Sequence, residues 1–221
     1  MALGPPSVNV TLCFRPGAKS DDKKTVMFKA LKSFFSRRFA RRPVDRQAHM
    51  LYVATVEAAR QQALFEEGGV ADTLDGRFDM IILHLALVLN RLRQLTPEGE
   101  EGAPVRELET CILEVYFADM DQALREMGVG DLGVGKRVKV MAKAYMGRRL
   151  AYGAALEAMD STGNRSDLED ALTRNAYRGE APSSAALQWL GDYVVRQRQA
   201  LEAQPLDAFM AGTVALCDAK A

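Results

Sequence analysis

Histidine and cysteine are nearly absent from this chain, with two and three in 221 residues, and that scarcity removes several enzyme classes at once. His49 and His84 stand in no H-E-x-x-H or E-x-x-H pattern, so a zinc protease or a di-iron carboxylate bundle lacks its ligands, and a nucleophilic triad lacks material. Cys13, Cys111 and Cys217 are far apart and odd in number, without C-x-x-C spacing. A disulfide scaffold or structural zinc site is not expected, and a reducing compartment fits. Net charge is missing too, since Lys+Arg and Asp+Glu each number 29. Nothing in the total draws the chain to nucleic acid or an anionic membrane, so any electrostatic function has to be local. The longest apolar run, Met80-IILHLALV-Leu89, is half of the ~20 residues a spanning helix needs and contains His84. The first residues show no basic segment leading into an apolar core, so no secretory signal is expected.

What is present is helical periodicity without strand alternation or internal repeats. Residues 1–22, rich in Pro, Gly and small polar residues, read as a flexible tail. The segment 23–43 reads as a basic amphipathic arm. Within 23–42, Lys23, Lys24, Lys29, Lys32, Arg37, Arg38, Arg41 and Arg42 occur with no acidic residue, while Phe28, Leu31, Phe35 and Phe39 recur at helical spacing before Pro43. Such an arm either packs on the bundle as an ordinary first helix or meets an anionic surface. Across 44–221 the spacing predicts helices over 47–67, 76–95, 105–127, 134–159, 167–177, 183–203 and 206–217. Asp72 or Thr73 can cap the second of these, whose all-round apolarity places it at the centre. The expected fold is an all-α single bundle of about six to eight helices.

Two motifs carry possible chemistry. Met127-GVGDLGVGKR-Val138 answers to both G-x-G-x-x-G and most of a P-loop, but a helix leads into it where a strand is required, and Arg137 stands where the P-loop hydroxyl would be. It reads as a helix–helix connector in which Gly128 and Gly130 end one helix and Asp131 caps the next. Asp75-GRF-Asp79 puts two carboxylates at i,i+4, as in Mg²⁺-dependent isoprenoid-diphosphate enzymes. The second pair such an enzyme needs, Asp119 and Asp121, has a spacing that points them apart. Asp75, Arg77 and Asp79 read otherwise as helix capping plus a salt bridge. Flanking the connector, residues 106–127 are acidic (Glu107, Glu109, Glu114, Asp119, Asp121, Glu126) and 136–149 basic (Lys136, Arg137, Lys139, Lys143, Arg148, Arg149). In an antiparallel hairpin these charges either pair across the helices, each surface pair contributing at most ~1 kcal/mol, or form a docking surface for a charged partner.

DTLDGRFDMIILHLALVLNRL (72–92) followed by YFADMDQALREMGVGDLGVGKRVKVMAKAYMGR (116–148) resembles the ubiquinol–cytochrome c chaperone family of mitochondria and related bacteria. The resemblance covers roughly residues 45–200. Gly133 stands where the family often has serine or threonine, which shifts the expected cap toward Asp131. The resemblance implies a chaperone domain over 44–221 and an assembly factor for the cytochrome bc1 complex. Its partners would be cytochrome b or another bc1 subunit, with a second assembly factor, and the 23–42 arm would meet a ribosome or anionic membrane. It implies neither catalytic residues nor a cofactor. A bacterial cytoplasmic protein peripheral to the inner membrane fits best, with the mitochondrial matrix as the alternative. Candidate partner-binding residues are Asp75, Arg77, Asp79, Asp119, Asp121, Lys136, Arg137 and Lys139.

Overall fold

The computed structural model describes residues 43–220. The readings for the tail, the 23–42 arm and Cys13 fall outside the described residues. Within them the chain forms eight α-helices and no strand: α1 Pro43–Ala59, α2 Ala63–Glu66, α3 Leu74–Gln94, α4 Ala103–Glu126, α5 Asp131–Thr162, α6 Ser166–Asn175, α7 Ser184–Glu202 and α8 Leu206–Ala211, with a 3-10 turn Gly99–Gly102 before α4.

The expected central helix is α3. Its apolar residues cover every side, and Met80, Ile82, Leu83, Leu85, Ala86 and Leu89 have no exposed surface, because α1, α4, α5 and α7 pack around it. Thr73 is its cap: Oγ1 accepts from the Gly76 amide at 3.1 Å. Asp72, the other candidate, pairs instead with Arg77 at 2.6 Å. A Cβ on Gly76 would lie 2.0 Å from the Ala71 carbonyl oxygen, so the glycine of the D-G-R-F-D stretch is required by the backbone that folds over it.

The glycine-rich stretch is a helix–helix connector. Gly128 takes φ 79°, its amide donates to the Arg125 carbonyl and the Val129 amide to Leu124, and α4 closes in a Schellman-type turn. The cap of α5 is Gly130, with φ −65° and ψ 155°, which corrects the Asp131 expectation: Asp131 is already the first helical residue. Two further boundaries differ. The helix expected over 47–67 breaks at Arg60–Gln61, where amides bond three residues back, and the one expected over 206–217 stops at Ala211 because Gly212 adopts φ 76°. Residues 213–218 then run on as a strap without helical structure.

His84 is a core histidine, fully buried on α3. Nδ1 lies 2.8 Å from the Met80 carbonyl oxygen, which can only accept, so Nδ1 carries the proton and Nε2 accepts from the Tyr193 hydroxyl at 2.6 Å. Tyr193 accepts in turn from Gln197 Nε2 at 2.7 Å. Each hydrogen in this chain has one direction, and α3 is tied to α7 by it. Burial holds the imidazole down at about pKa 4, against the Met80 bond, which raises it.

Two glycine substitutions separate intrinsic helix propensity from packing. Gly147, on the exposed side of α5, has open space where a Cβ would go, so Gly147→Ala should stabilise by about 0.5–1 kcal/mol. Gly76→Ala should destabilise by more than ~1 kcal/mol despite the same intrinsic preference, since backbone must move. Denaturant melts of both variants check this, and a stabilising Gly76→Ala contradicts the close approach.

Candidate partner-binding surface

The eight candidate residues divide between the interior and two outer surfaces. Asp79 is 1% exposed. It lies between two guanidinium groups, Arg148 of α5 at 2.8 Å and Arg178 at 3.3 Å, and Arg178 also reaches Asp75 at 3.1 Å. Burial pushes the Asp79 carboxyl up to about pKa 6, with Arg148 and Arg178 pulling it down and Asp75 adding to the rise. As a surface contact Asp79 is therefore corrected: its place one turn below Asp75 on α3 carries it under the loop bearing Arg178. That arginine has φ 57°, a conformation uncommon outside glycine and held here by flanking turns. Asp75 and Arg77 are exposed.

Asp119 accepts from the Tyr52 hydroxyl of α1 at 2.7 Å, and Asp121 pairs with Arg125 of its own helix at 2.6 Å. Of the four carboxylates that a bound diphosphate's Mg²⁺ would require, Asp75 and Asp79 share Arg178, while Asp119 and Asp121 are held by Tyr52 and Arg125. Among the described residues no group of three His, Cys, Asp or Glu side chains is placed to hold a metal ion. The diphosphate-enzyme reading finds no support here.

The acidic and basic flanks of the connector meet across the hairpin at the interior. Glu109 of α4 pairs with Arg149 of α5 at 3.0 Å and Arg93 of α3 at 2.6 Å. Glu109 and Arg149 are 4% and 2% exposed, so this is an inner ion cluster rather than the surface ladder expected. The sequence carried a signal for it: Arg149 sits at the same register as the fully buried Tyr145 and Tyr152, four residues after one and three before the other. Arg178 and the α7 residues Tyr193 and Gln197 were not foreseen, and no local pattern marks them.

The basic half of α5 looks outward. Lys136, Arg137, Lys139 and Lys143 are exposed, and no ion pair joins any of them to another described residue. Val140, 60% exposed, lies among them, and Leu150, 43% exposed, continues the stripe through Lys136, Val140, Lys143, Gly147 and Leu150 at alternating spacings of four and three. No described helix is long and apolar enough to cross a membrane.

Asp79 and His84 titrate in opposite senses over one pH window. Asp79 holds its proton to about pH 6 in the fold and to 3.8 when unfolded, so its contribution is lost as pH rises through that interval. His84 resists protonation down to about 4 against 6.5 unfolded, so its contribution is lost as pH falls. The two slopes offset each other in the native protein. Asp79→Asn should therefore make stability fall more steeply from pH 6 to pH 4 than in the unaltered chain, by at most about 1.4 kcal/mol per pH unit. Thermal melts of both proteins at half-unit steps test this; parallel curves would show that Asp79 does not titrate there.

Residues 66–216 match the protein family described as "Ubiquinol-cytochrome C chaperone". The chain is similar to "Ubiquinol-cytochrome c reductase complex assembly factor 1" of Drosophila melanogaster, with 22% identity over 164 residues that make up 74% of this chain and 61% of that protein. It is similar to the Mus musculus protein of the same name, 25% identical over 152 residues covering 69% and 48%. The chain thus spans only about half to three-fifths of the length of these two relatives. The crystal structure of the Cbp3 homolog from Brucella abortus aligns with a TM-score of 0.67 and 35% identity over 79% of this chain and 91% of that one. With two-thirds of its length matched by the family and a solved relative at that identity, the chain belongs to the ubiquinol–cytochrome c chaperone family.

Proposed function

We propose that this protein is a non-catalytic assembly factor for the cytochrome bc1 complex, that it acts on newly made cytochrome b, and that it docks its partner through the outward face of α5. Membership of the family, over residues 66–216, carries the assembly role. The four cations of α5 that find no carboxylate among the described residues, set around Val140, support the place. Asp75 and Arg77 form a second exposed candidate surface at the start of α3, whereas Asp79 and Asp119 serve the interior and the α1 contact. The acid-free 23–42 segment would add an electrostatic contact with anionic lipid or ribosomal RNA. Placement in the bacterial cytoplasm, peripheral to the inner membrane, belongs to the same proposal, as does a second assembly factor as co-partner.

Charge reversal on α5 tests it. Lys136 and Lys139 are exposed and make no ion pair with another described residue, so Lys136→Glu/Lys139→Glu should shift stability by less than ~0.5 kcal/mol per site and leave the protein at normal level in cells. In a strain lacking the native copy, this variant should give parallel loss of spectroscopically detected cytochrome b and of bc1 activity. Full rescue by the variant would remove α5 from the docking surface. Normal bc1 content in a clean deletion strain that respires through this complex would remove the assembly role itself.

A further inference from the structure

The strap 213–219 is held by three glutamine side chains that bond its backbone and none of its side chains. Gln204, just past α7, accepts from the Ala215 amide at 2.8 Å and donates to the Ala215 carbonyl at 2.8 Å. Gln197 of α7 does the same for Cys217, accepting from its amide at 3.0 Å and donating to its carbonyl at 2.7 Å. Gln61, in the break between α1 and α2, donates to the Cys217 carbonyl at 3.2 Å and accepts from the Ala219 amide. Residues 215, 217 and 219 are alternate positions, so the bonded groups fall on one edge of an extended chain. Val214 and Ala219 are the buried side chains of the strap, 8% and 1% exposed, and Leu216 packs half-buried against the core.

The groove thus recognises peptide backbone, with apolar contacts at Val214, Leu216 and Ala219, as in strand-addition binding. Its polar wall is built in: Gln197 is fully buried and its amide is oriented by Tyr193, which His84 fixes from below. The strap leaves α8 through the left-handed Gly212. Its few buried side chains place it at the low-stability end of the structure. We infer that the groove lined by Gln61, Gln197 and Gln204 is a binding site for an extended peptide segment carrying apolar residues, and that the strap occupies it as a tethered competitor. This inference does not depend on which complex the protein assembles.

The probe is a fluorescein-labelled peptide of residues 213–220, kept reduced, and the readout is anisotropy. In the full chain carrying Val214→Asp/Ala219→Asp the strap is expelled and the groove is free, so the peptide should bind saturably. It should bind the unaltered chain at least about tenfold more weakly, because the tethered strap competes at an effective concentration in the millimolar range. Adding Gln204→Leu to the released variant should weaken peptide binding by at least about tenfold, the bidentate pair being lost. A folded released variant that binds no peptide, or equal binding by both chains, overturns the inference. A second measurement needs no variant. In the unaltered chain the amides of Ala215 and Cys217 should exchange with solvent at least about 100-fold faster than those of Met80–Leu89 in α3, reporting local release. Exchange at the α3 rate would mean that the strap opens only with the whole fold and would overturn the inference equally.

Discussion

An ionised group taken out of water needs a partner of opposite charge with good geometry, and this bundle buries several of them between α3, α4 and α5. Glu109 stands between Arg93 and Arg149, and Asp79 between Arg148 and Arg178. A buried apolar residue can slide along a neighbouring helix at modest cost, but a buried guanidinium displaced by one residue leaves its carboxylate unpaired, at about 3–5 kcal/mol. The ion clusters therefore fix the rotation and register of α5 against α3 and α4. Once Arg148 and Arg149 are inside, Lys136, Lys139, Val140, Lys143 and Leu150 have to be outside. The outward stripe follows from the inner pairs.

The same reasoning links the core to the strap. A neutral His84 that donates through Nδ1 to Met80 can only accept at Nε2, which orients the Tyr193 hydroxyl and leaves its oxygen to accept from Gln197. Gln197 then has its carbonyl oxygen and remaining amide hydrogen directed to Cys217. A proton on Nε2 would turn the imidazole into a second donor toward Tyr193 and break the sequence of directions, consistent with the imidazole's low pKa. Groups separated by 133 residues in sequence, from His84 to Cys217, thus belong to one hydrogen-bond chain.

Local features were legible in the sequence to the extent that their causes were local. Thr73 as cap, Gly128 as the end of α4 and α3 as the central helix follow from side-chain oxygen placement, left-handed tolerance and apolar period. Arg149 was half legible, since its register among tyrosines was visible while its partner Glu109 was one acidic residue among six in that helix. The break at Arg60–Gln61 was illegible: Gln61 bonds residues 156 and 158 positions away. Arg178 was hidden because its conformation is imposed by the turns around it, a tertiary override of local preference. The start of α5 was misplaced for a smaller reason, as Gly130 satisfies the cap geometry with no side chain at all.

The two outer features differ in how they would recognise another chain, and the difference bears on what an assembly factor needs. The α5 stripe presents charge around Val140, so as a docking surface it would discriminate by the sign and spacing of a partner's side chains and would be weakened by salt. The strap groove presents amide groups to backbone, which every sequence possesses, and would select chiefly for extension. A surface of the first kind suits a partner with a folded, charged face; a groove of the second kind suits a segment that has not yet acquired secondary structure. Both are set by the same interior, because the buried arginines orient α5 and the His84–Tyr193–Gln197 chain orients the groove wall. In each case polar groups placed inside the bundle determine what the outside can hold.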